Sequence, residues 1–208
     1  MRRWPLAVTP LLCLAAGSAP RKCSPSSPPV WPSRFKILQR KSPHGVESEC
    51  QAGGCANTTT YYDWERQANL IIIRPDGAAE GDAMWDLELG SHDSYYFHPG
   101  PQTCKYIHFP VGILRPDWLS GANYTGKSVV NGRTVLGWTK VDFIDYYADA
   151  SDCTPVRWVF HTMQATFDTL SFLEGEQVPD GSFFVPPSYC PNRTGQEVAS
   201  GLQRTIVL

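Results

Sequence analysis

The chain has 208 residues, of which 42% are hydrophobic and 18% are charged, and its formal net charge is −2. This balance is typical of one folded domain with a sizeable core, and it argues against a largely disordered chain. The slightly acidic charge, without any basic run after the first residues, excludes the electrostatic footprint expected of a nucleic-acid-binding protein.

Residues 1–19 have the organisation of a secretory signal peptide. Arg2 and Arg3 form a basic start, residues 5–16 are largely apolar, and residues 16–19 are small, as a cleavage region requires. No later stretch supplies the about 20 apolar residues that a transmembrane helix needs. We therefore predict a protein that does not span a membrane and that is secreted or held in the lumen of the secretory pathway, including a vacuole or lysosome.

Cysteines and sequons agree with an oxidising compartment. Once Cys13 leaves with the signal peptide, an even set remains, namely Cys23, Cys50, Cys55, Cys104, Cys153 and Cys190. Such a set predicts up to three disulfides, with 15 connectivities left open. Cys50 and Cys55 could close a local loop, and because no second pair follows at zinc-finger spacing we predict no metal site. The sequons at Asn57, Asn123 and Asn192 predict a glycoprotein.

The rest of the chain is patterned as short strands. Residues 20–33 are rich in Pro and Ser and predict an extended lead-in outside the core, followed by a β domain over 34–190 and a tail over 191–208. Alternating apolar and polar residues separated by turn residues predict an all-β, mainly antiparallel fold. The predicted strands are 35–40, 58–64, 70–74, 85–89, 95–97, 106–109, 134–147, 155–162 and 165–175, with a loop over 112–124 and a tight turn at Asn131-Gly132 before the long strand.

Aromatic residues on alternate strand positions suggest the wall of a ligand pocket. The chain contains 7 Trp, 9 Tyr and 9 Phe, and a curled antiparallel sheet of this size can leave a cavity between its strands. The predicted pocket residues are Trp85, Leu87, Tyr95, Phe97, Trp138, Lys140, Asp142, Tyr146, Trp158 and Phe160. Lys140 and Asp142 are expected at the polar rim, either orienting a ligand or forming a structural ion pair on one strand.

The acidic pair Asp86 and Glu88 has two interpretations. Two residues apart on one strand, their Cβ atoms would lie roughly 7 Å apart, within the spacing of an inverting glycosidase. Alternation with Trp85, Leu87 and Leu89 instead favours a solvent-facing role for both carboxylates. The chain has no Gly-rich phosphate loop and no G-x-S-x-G elbow, so we predict a protein that is not an enzyme and carries no cofactor.

Several short motifs together resemble the ependymin-related proteins. They are "YTGKSVVNG" at 124–132, "GWTK" at 137–140, "DCTPV" at 152–156, "SFLEG" at 171–175 and "FVPPSYC" at 184–190. Other stretches, "YYDWERQANLIII", "WDLELG" and "VDFIDYYAD", look closer to secreted plant and algal members. The resemblance covers about residues 35–190. It implies two stacked sheets or a half-open barrel with a deep apolar pocket, similar to bacterial lipoprotein carriers.

The function expected from the sequence is therefore binding of a hydrophobic or amphipathic ligand, a lipid among them, in a β-sheet pocket of a secreted glycoprotein. Two alternatives stay open: an extracellular matrix or adhesion module that makes glycan contacts without a cavity, and a carbohydrate-active enzyme that uses Asp86 and Glu88, or Asp142 and Asp145. A homodimer is among the expected partners, and nucleic acid is not.

Overall fold

The computed structural model describes residues 23–44, 50, 54–175 and 179–191. The signal peptide, Asn192 and the tail after 191 lie outside the described residues. The strands are β1 (Arg34–Pro43), β2 (Ala56–Asp63), β3 (Ala68–Pro75), β4 (Met84–Leu89), β5 (Asp93–His98), β6 (Thr103–His108), β7 (Asn123–Val130), β8 (Arg133–Lys140), β9 (Ile144–Asp149), β10 (Pro155–Phe160) and β11 (Ala165–Glu174), with 3₁₀ turns at Glu80–Asp82 and Gly181–Phe184. The fold is all-β, as predicted. None of the helices in the described part could cross a membrane.

All eleven strands belong to one open antiparallel sheet, in the order β6-β5-β4-β3-β2-β1-β11-β10-β9-β8-β7. Strand β1 lies at the centre. The first half of the sheet, β2–β6, extends to one side of β1, and the second half, β7–β11, extends to the other. Strands β6 and β7 follow one another in the chain but form opposite edges, so the loop over 109–122 that joins them connects one edge of the sheet to the other.

The two faces of the sheet follow from its register, because directly paired residues in antiparallel strands lie side by side on the same face. One row on the inner face runs Phe35, Tyr62, Asn69, Glu88 and Ser94 from β1 to β5. A second inner-face row runs Phe167, Trp158, Tyr146, Trp138 and Tyr124 from β11 to β7. Residues between these positions, such as Leu70 and Leu87, lie on the outer face.

The two halves of the sheet carry their main apolar clusters on opposite faces. In the second half and β1, the buried apolar cluster is on the inner face, and its largest side chains are Trp138, Tyr146, Trp158, Phe35 and Phe160. In the first half the cluster is on the outer face and consists of Ala68, Leu70, Leu87, Tyr95, Phe97, Tyr106 and, from a later segment, Phe184. The alternation that predicts strands therefore changes its buried side across the sheet.

Each half has a cover attached by a disulfide. Segment 179–191 packs on the outer face of the first half, where Cys190 bonds to Cys104 of β6. Segment 23–33 packs on the inner face of the second half, and its Cys23 bonds to Cys153. A third disulfide joins Cys50 and Cys55 in a local loop, as the spacing suggested.

Two sequence-based expectations about strand and core limits were wrong. The lead-in was expected outside the core, but its Trp31 is only 8% exposed and belongs to the inner apolar cluster. The long strand expected over 134–147 is a hairpin, because residues 141–143 form a turn between β8 and β9. Val141 and Asp142 both have positive φ in that turn, at 51° and 50°. The expected turn at Asn131-Gly132 is present, again with positive φ at both residues.

Candidate functional site: a cavity on the inner face

A cavity of about 90 Å³ lies on the inner face where the two halves of the sheet meet. It is lined by Trp31, Phe35, Gln39, Thr58, Thr60, Tyr62, Asn69, Ile71, Glu88, Leu114, Phe143, Trp158, Phe160 and Phe167. Glu88 of β4 and Phe160 of β10 are five strands apart, about 24 Å in a flat sheet. Because one small cavity contacts both residues, the open sheet must curl around it.

One wall of the cavity is aromatic. Trp158 of β10 stacks on Trp31 with ring centroids 5.4 Å apart, and Trp31 also meets Tyr62 edge to face at 5.5 Å. The Trp31 indole Nε1 donates to the Tyr146 hydroxyl at 3.1 Å, which satisfies both buried polar atoms. Trp31 therefore fills part of the space between the sheet halves and fixes how wide the cavity is.

The opposite wall carries buried polar groups. Asn69 Nδ2 donates to Glu88 Oε2 at 3.0 Å across the β3–β4 pair, while Asn69 Oδ1 is buried and has no hydrogen-bond partner. Gln39 of β1 is 1% exposed, and its Nε2 also has no partner. Trp158 Nε1 is a third such atom on a lining residue, while those of Trp118, Trp138 and Thr169 belong to residues that do not line the cavity. Buried polar atoms are nearly always paired in folded proteins, so the three on lining residues mark the cavity as a place where a ligand or ordered water can bind.

The loop over 109–122 closes the end of the cavity near Tyr62. The Tyr62 hydroxyl donates to the Leu114 carbonyl at 2.8 Å, and the Trp31 amide donates to the Pro116 carbonyl at 2.9 Å. Burial raises the pKa of Tyr62, and the charges of Asp117 and Asp63 raise it further. Tyr62 therefore stays protonated and holds the loop against the sheet.

Only part of the predicted pocket set lines the cavity. Trp158 and Phe160 line it, whereas Trp138 and Tyr146 are fully buried in the apolar cluster and are not among the lining residues. The other four aromatic and aliphatic positions, Trp85, Leu87, Tyr95 and Phe97, lie on the outer face against the segment that contains Phe184 and Tyr189. The two groups of predicted residues are thus on opposite sides of the sheet.

The two residues expected at the polar rim do not share a strand. Lys140 ends β8, and its ammonium donates to the backbone carbonyls of Trp118 and Ser120 in the loop that closes the cavity, the latter at 3.0 Å. Asp142 is exposed in the turn after β8. Lys140 therefore anchors the crossing loop to the end of β8.

The acidic pair is buried, contrary to the solvent-facing role that alternation favoured. Asp86 is 0% exposed and Glu88 is 7% exposed, and both lie on the inner face. Only Glu88 is among the cavity-lining residues. The second acidic pair is also split, because Asp145 on the outer face contacts His161 at 3.0 Å while Asp142 lies in the turn.

The predicted pocket set lacked the residues that give the cavity its character, among them Trp31, Gln39, Asn69 and Glu88. A signal for one of them is present in the sequence, because Gln39 continues the alternation of Phe35 and Ile37 on β1. A polar residue in that position is a candidate for a buried polar side chain. No comparable signal marks Asn69, which becomes part of the site through its pairing with Tyr62 and Glu88.

Two of the three sequons can be placed. Asn57 is exposed on β2 and lies on the outer face, and Asn123 is exposed at the start of edge strand β7. Neither residue lines the cavity. Glycans on these residues would therefore leave the cavity accessible.

Comparison with known proteins identifies a family and a fold but no activity. A family model described as a domain of unknown function, DUF8395, matches residues 30–190. The crystal structure of an uncharacterized conserved protein from Thermus thermophilus is similar with a TM-score of 0.51 and 8% sequence identity, over 75% of this chain and 86% of that chain. No curated protein matches the sequence.

Proposed function

The chain belongs to the DUF8395 family, and we propose that it binds a small amphipathic molecule in the inner cavity. One observation carries this proposal: a single cavity combines an aromatic wall with buried polar atoms that have no partner, namely Asn69 Oδ1, Gln39 Nε2 and Trp158 Nε1. An apolar ligand body fits the aromatic wall, and a polar group on the ligand fits the polar atoms.

The size of the cavity restricts the ligand. Drug-sized ligands occupy pockets of about 300–1,000 Å³, whereas this cavity measures about 90 Å³. A short alkyl chain, or the end of a longer one, is therefore the expected occupant. Each buried methylene contributes about 0.8 kcal/mol, so four of them contribute about 3 kcal/mol before the cost of association is subtracted.

The setting of the site fits a carrier in an oxidising compartment. Three disulfides within the described residues are typical of secreted proteins. We propose that the protein is secreted and glycosylated at Asn57 and Asn123. The kinship with ependymin-related proteins stays a prediction that these features support, since it implies the same secreted, disulfide-bonded class.

A matched pair of variants tests the proposed function. Thr60 lines the cavity, while the adjacent Thr59 lies on the outer face of the same strand. Thr60→Leu adds apolar volume inside the cavity and is expected to weaken binding of 1-octanol, measured by calorimetry, at least tenfold. Thr59→Leu introduces the same side chain outside the cavity and should leave the affinity unchanged.

If 1-octanol, octylamine and octanoate all fail to bind the unmodified protein, or if both variants bind 1-octanol equally well, the cavity is not the binding site. The matrix or adhesion alternative would then be favoured, because it needs no cavity.

A further inference from the structure

The hydrogen bonding of Asn69 defines which chemical group the cavity can accept. Its amide nitrogen is already used, because Nδ2 donates to Glu88 Oε2 at 3.0 Å. The amide oxygen Oδ1 is left as a buried acceptor without a partner. A ligand atom that meets Oδ1 must therefore donate a hydrogen bond, and an acceptor there would face a second acceptor.

Glu88 adds a charged acceptor beside Asn69. It is 7% exposed and lines the cavity, and a carboxylate offers about four lone-pair positions on its two oxygens. The carboxylate can therefore accept from several donors at once, with Asn69 Nδ2 and a ligand donor among them. Hydrogen bonds to an ionised acceptor are stronger than neutral ones, whereas a second carboxylate placed next to Glu88 would be disfavoured by like-charge repulsion.

A second unpartnered group, on Gln39, lies towards the opposite end of the cavity. Gln39 pairs with Thr58, and Asn69 pairs with Tyr62, so the two rows are four residues apart along β2. This separation is about 13 Å. Gln39 Nε2 is a neutral donor, and it suits a ligand acceptor. The two polar groups therefore have opposite hydrogen-bonding character.

From this arrangement we infer that the ligand carries a hydrogen-bond-donating head: a primary ammonium, which can donate to both Asn69 Oδ1 and the Glu88 carboxylate, or a hydroxyl, which donates its one proton to either of them. The inference rests on the proposed function and adds the class of ligand. Two unpartnered donors also belong to lining residues, Gln39 Nε2 and Trp158 Nε1. The acceptor pair outweighs them because the two acceptors lie side by side and one of them is a carboxylate. Compounds of the same chain length that end in a carboxylate are excluded from this end of the cavity.

Three ligands of equal chain length test the inference: 1-octanol, octylamine and octanoate, titrated calorimetrically at neutral pH into the full protein. We expect the alcohol and the amine to bind at least tenfold more tightly than the acid. If none of the three binds, the proposed function fails. If octanoate binds as tightly as the other two, the proposed function stands and the inferred head group is wrong.

Variants locate the head group. Glu88→Gln is expected to lower the affinity for octylamine at least tenfold and the affinity for 1-octanol less than threefold. Only the positively charged amine is attracted by the negative charge of Glu88. Glu174→Gln removes the same charge at an exposed position of β11 and is the matched control. Asn69→Leu should lower the affinity for both octylamine and 1-octanol. Circular dichroism establishes that each variant is folded.

Gln39→Leu separates the two ends of the cavity. If Gln39→Leu abolishes binding of all three ligands while Glu88→Gln changes none of the three affinities, the head group lies at the Gln39 end. The inference is then overturned. If Gln39→Leu leaves the preference for alcohol and amine over acid intact, the inference is supported.

Discussion

The two halves of the sheet are built from similar alternating strands, yet they use opposite faces. The first half packs its apolar cluster on the outer face beneath segment 179–191, while its inner face carries polar side chains such as Asn69 and the buried Glu88. The second half buries its inner face beneath Trp31 and the loop over 109–122. The cavity lies where these two arrangements meet, so its two-sided chemistry results from the change of buried face.

This comparison explains why the cavity is amphipathic. A sheet that buried the same face throughout would have an apolar inner surface on both sides of β1. Here the row from Tyr62 to Ser94 changes from aromatic to polar within a few strands, while the row from Phe167 to Tyr124 keeps aromatic side chains at every position. The outer covering of the first half is what allows its inner face to be polar.

Removing the disulfides one at a time should have the largest effect and should separate the halves. The two cysteines of each disulfide are far apart in sequence, by 130 residues for Cys23–Cys153 and by 86 for Cys104–Cys190. On the chain-entropy model, closing a loop of about 100 residues stabilises the folded protein by about 4.7 kcal/mol. Replacing either pair by Ser should therefore lower the free energy of unfolding by about 4–5 kcal/mol, measured in urea.

Ligand affinity distinguishes the two disulfides. Loss of Cys23–Cys153 releases the segment that carries Trp31 and should lower the affinity for 1-octanol. Loss of Cys104–Cys190 should leave this affinity unchanged. An unchanged affinity after loss of Cys23–Cys153 would show that the cavity does not depend on the second half's cover.

Trp31→Ala should lower the free energy of unfolding by about 3–5 kcal/mol, the usual loss when a buried Trp is truncated. It should also change ligand choice, because Trp31 fills part of the space between the halves. We expect 1-dodecanol to gain affinity relative to 1-octanol in this variant, measured by calorimetry. Trp85→Ala on the outer face of the first half is the control, and a shift in chain-length preference there would contradict the assignment of faces.

Tyr62→Phe should lower the free energy of unfolding by about 1 kcal/mol at neutral pH, because it removes one hydrogen bond of typical strength. It should also change the alkaline stability. Because burial raises the pKa of Tyr62, its contribution is fully present below the unfolded-state pKa of about 10 and is lost as pH rises through the folded-state value.

The loss for one such group is at most about 1.4 kcal/mol per pH unit. The Phe variant should therefore lose less stability than the unmodified protein between pH 10 and 11, followed by urea unfolding. Tyr124→Phe, on the edge strand, is the matched control. An unchanged alkaline slope for Tyr62→Phe would show that Tyr62 is not shielded by the loop.

The smallest expected effect is a gain in stability from relieving backbone strain at Val141. Val141 has a φ of 51° and is 84% exposed, and this backbone region costs a non-glycine residue roughly 1–2 kcal/mol. Asn tolerates it better, so Val141→Asn should stabilise the second half by about 1 kcal/mol, read from the urea midpoint. Val129→Asn at an exposed strand position should bring no gain, and equal effects of both variants would argue against strain in this turn.

The sequence predicts the strands well because a period of two residues is a local property. Asn131-Gly132 likewise marks its turn by residue type alone, whereas Val141-Asp142 does not, and the alternation from Trp138 to Tyr146 conceals the break between β8 and β9. The class of fold and the existence of most strands therefore follow from local patterns.

The site could not be assembled from the sequence for a different reason. Alternation shows that Leu87 and Glu88 lie on opposite faces, but which face is buried depends on covers that come from distant parts of the chain. Leu87 is buried by the much later segment that contains Phe184, and Glu88 is enclosed by the curled sheet. The predicted pocket set therefore mixed the two faces, and Trp31 was assigned to the lead-in because its neighbours are Pro and Ser.

The most direct test of a ligand-binding cavity is the mass of the protein as secreted by a eukaryotic host. After deglycosylation, native and denatured mass spectra are compared. The account predicts extra mass that disappears on denaturation and that is identified as an amphipathic compound with a hydroxyl or amine head. A native mass equal to that of the polypeptide, even after incubation with saturating 1-octanol and octylamine, would contradict it.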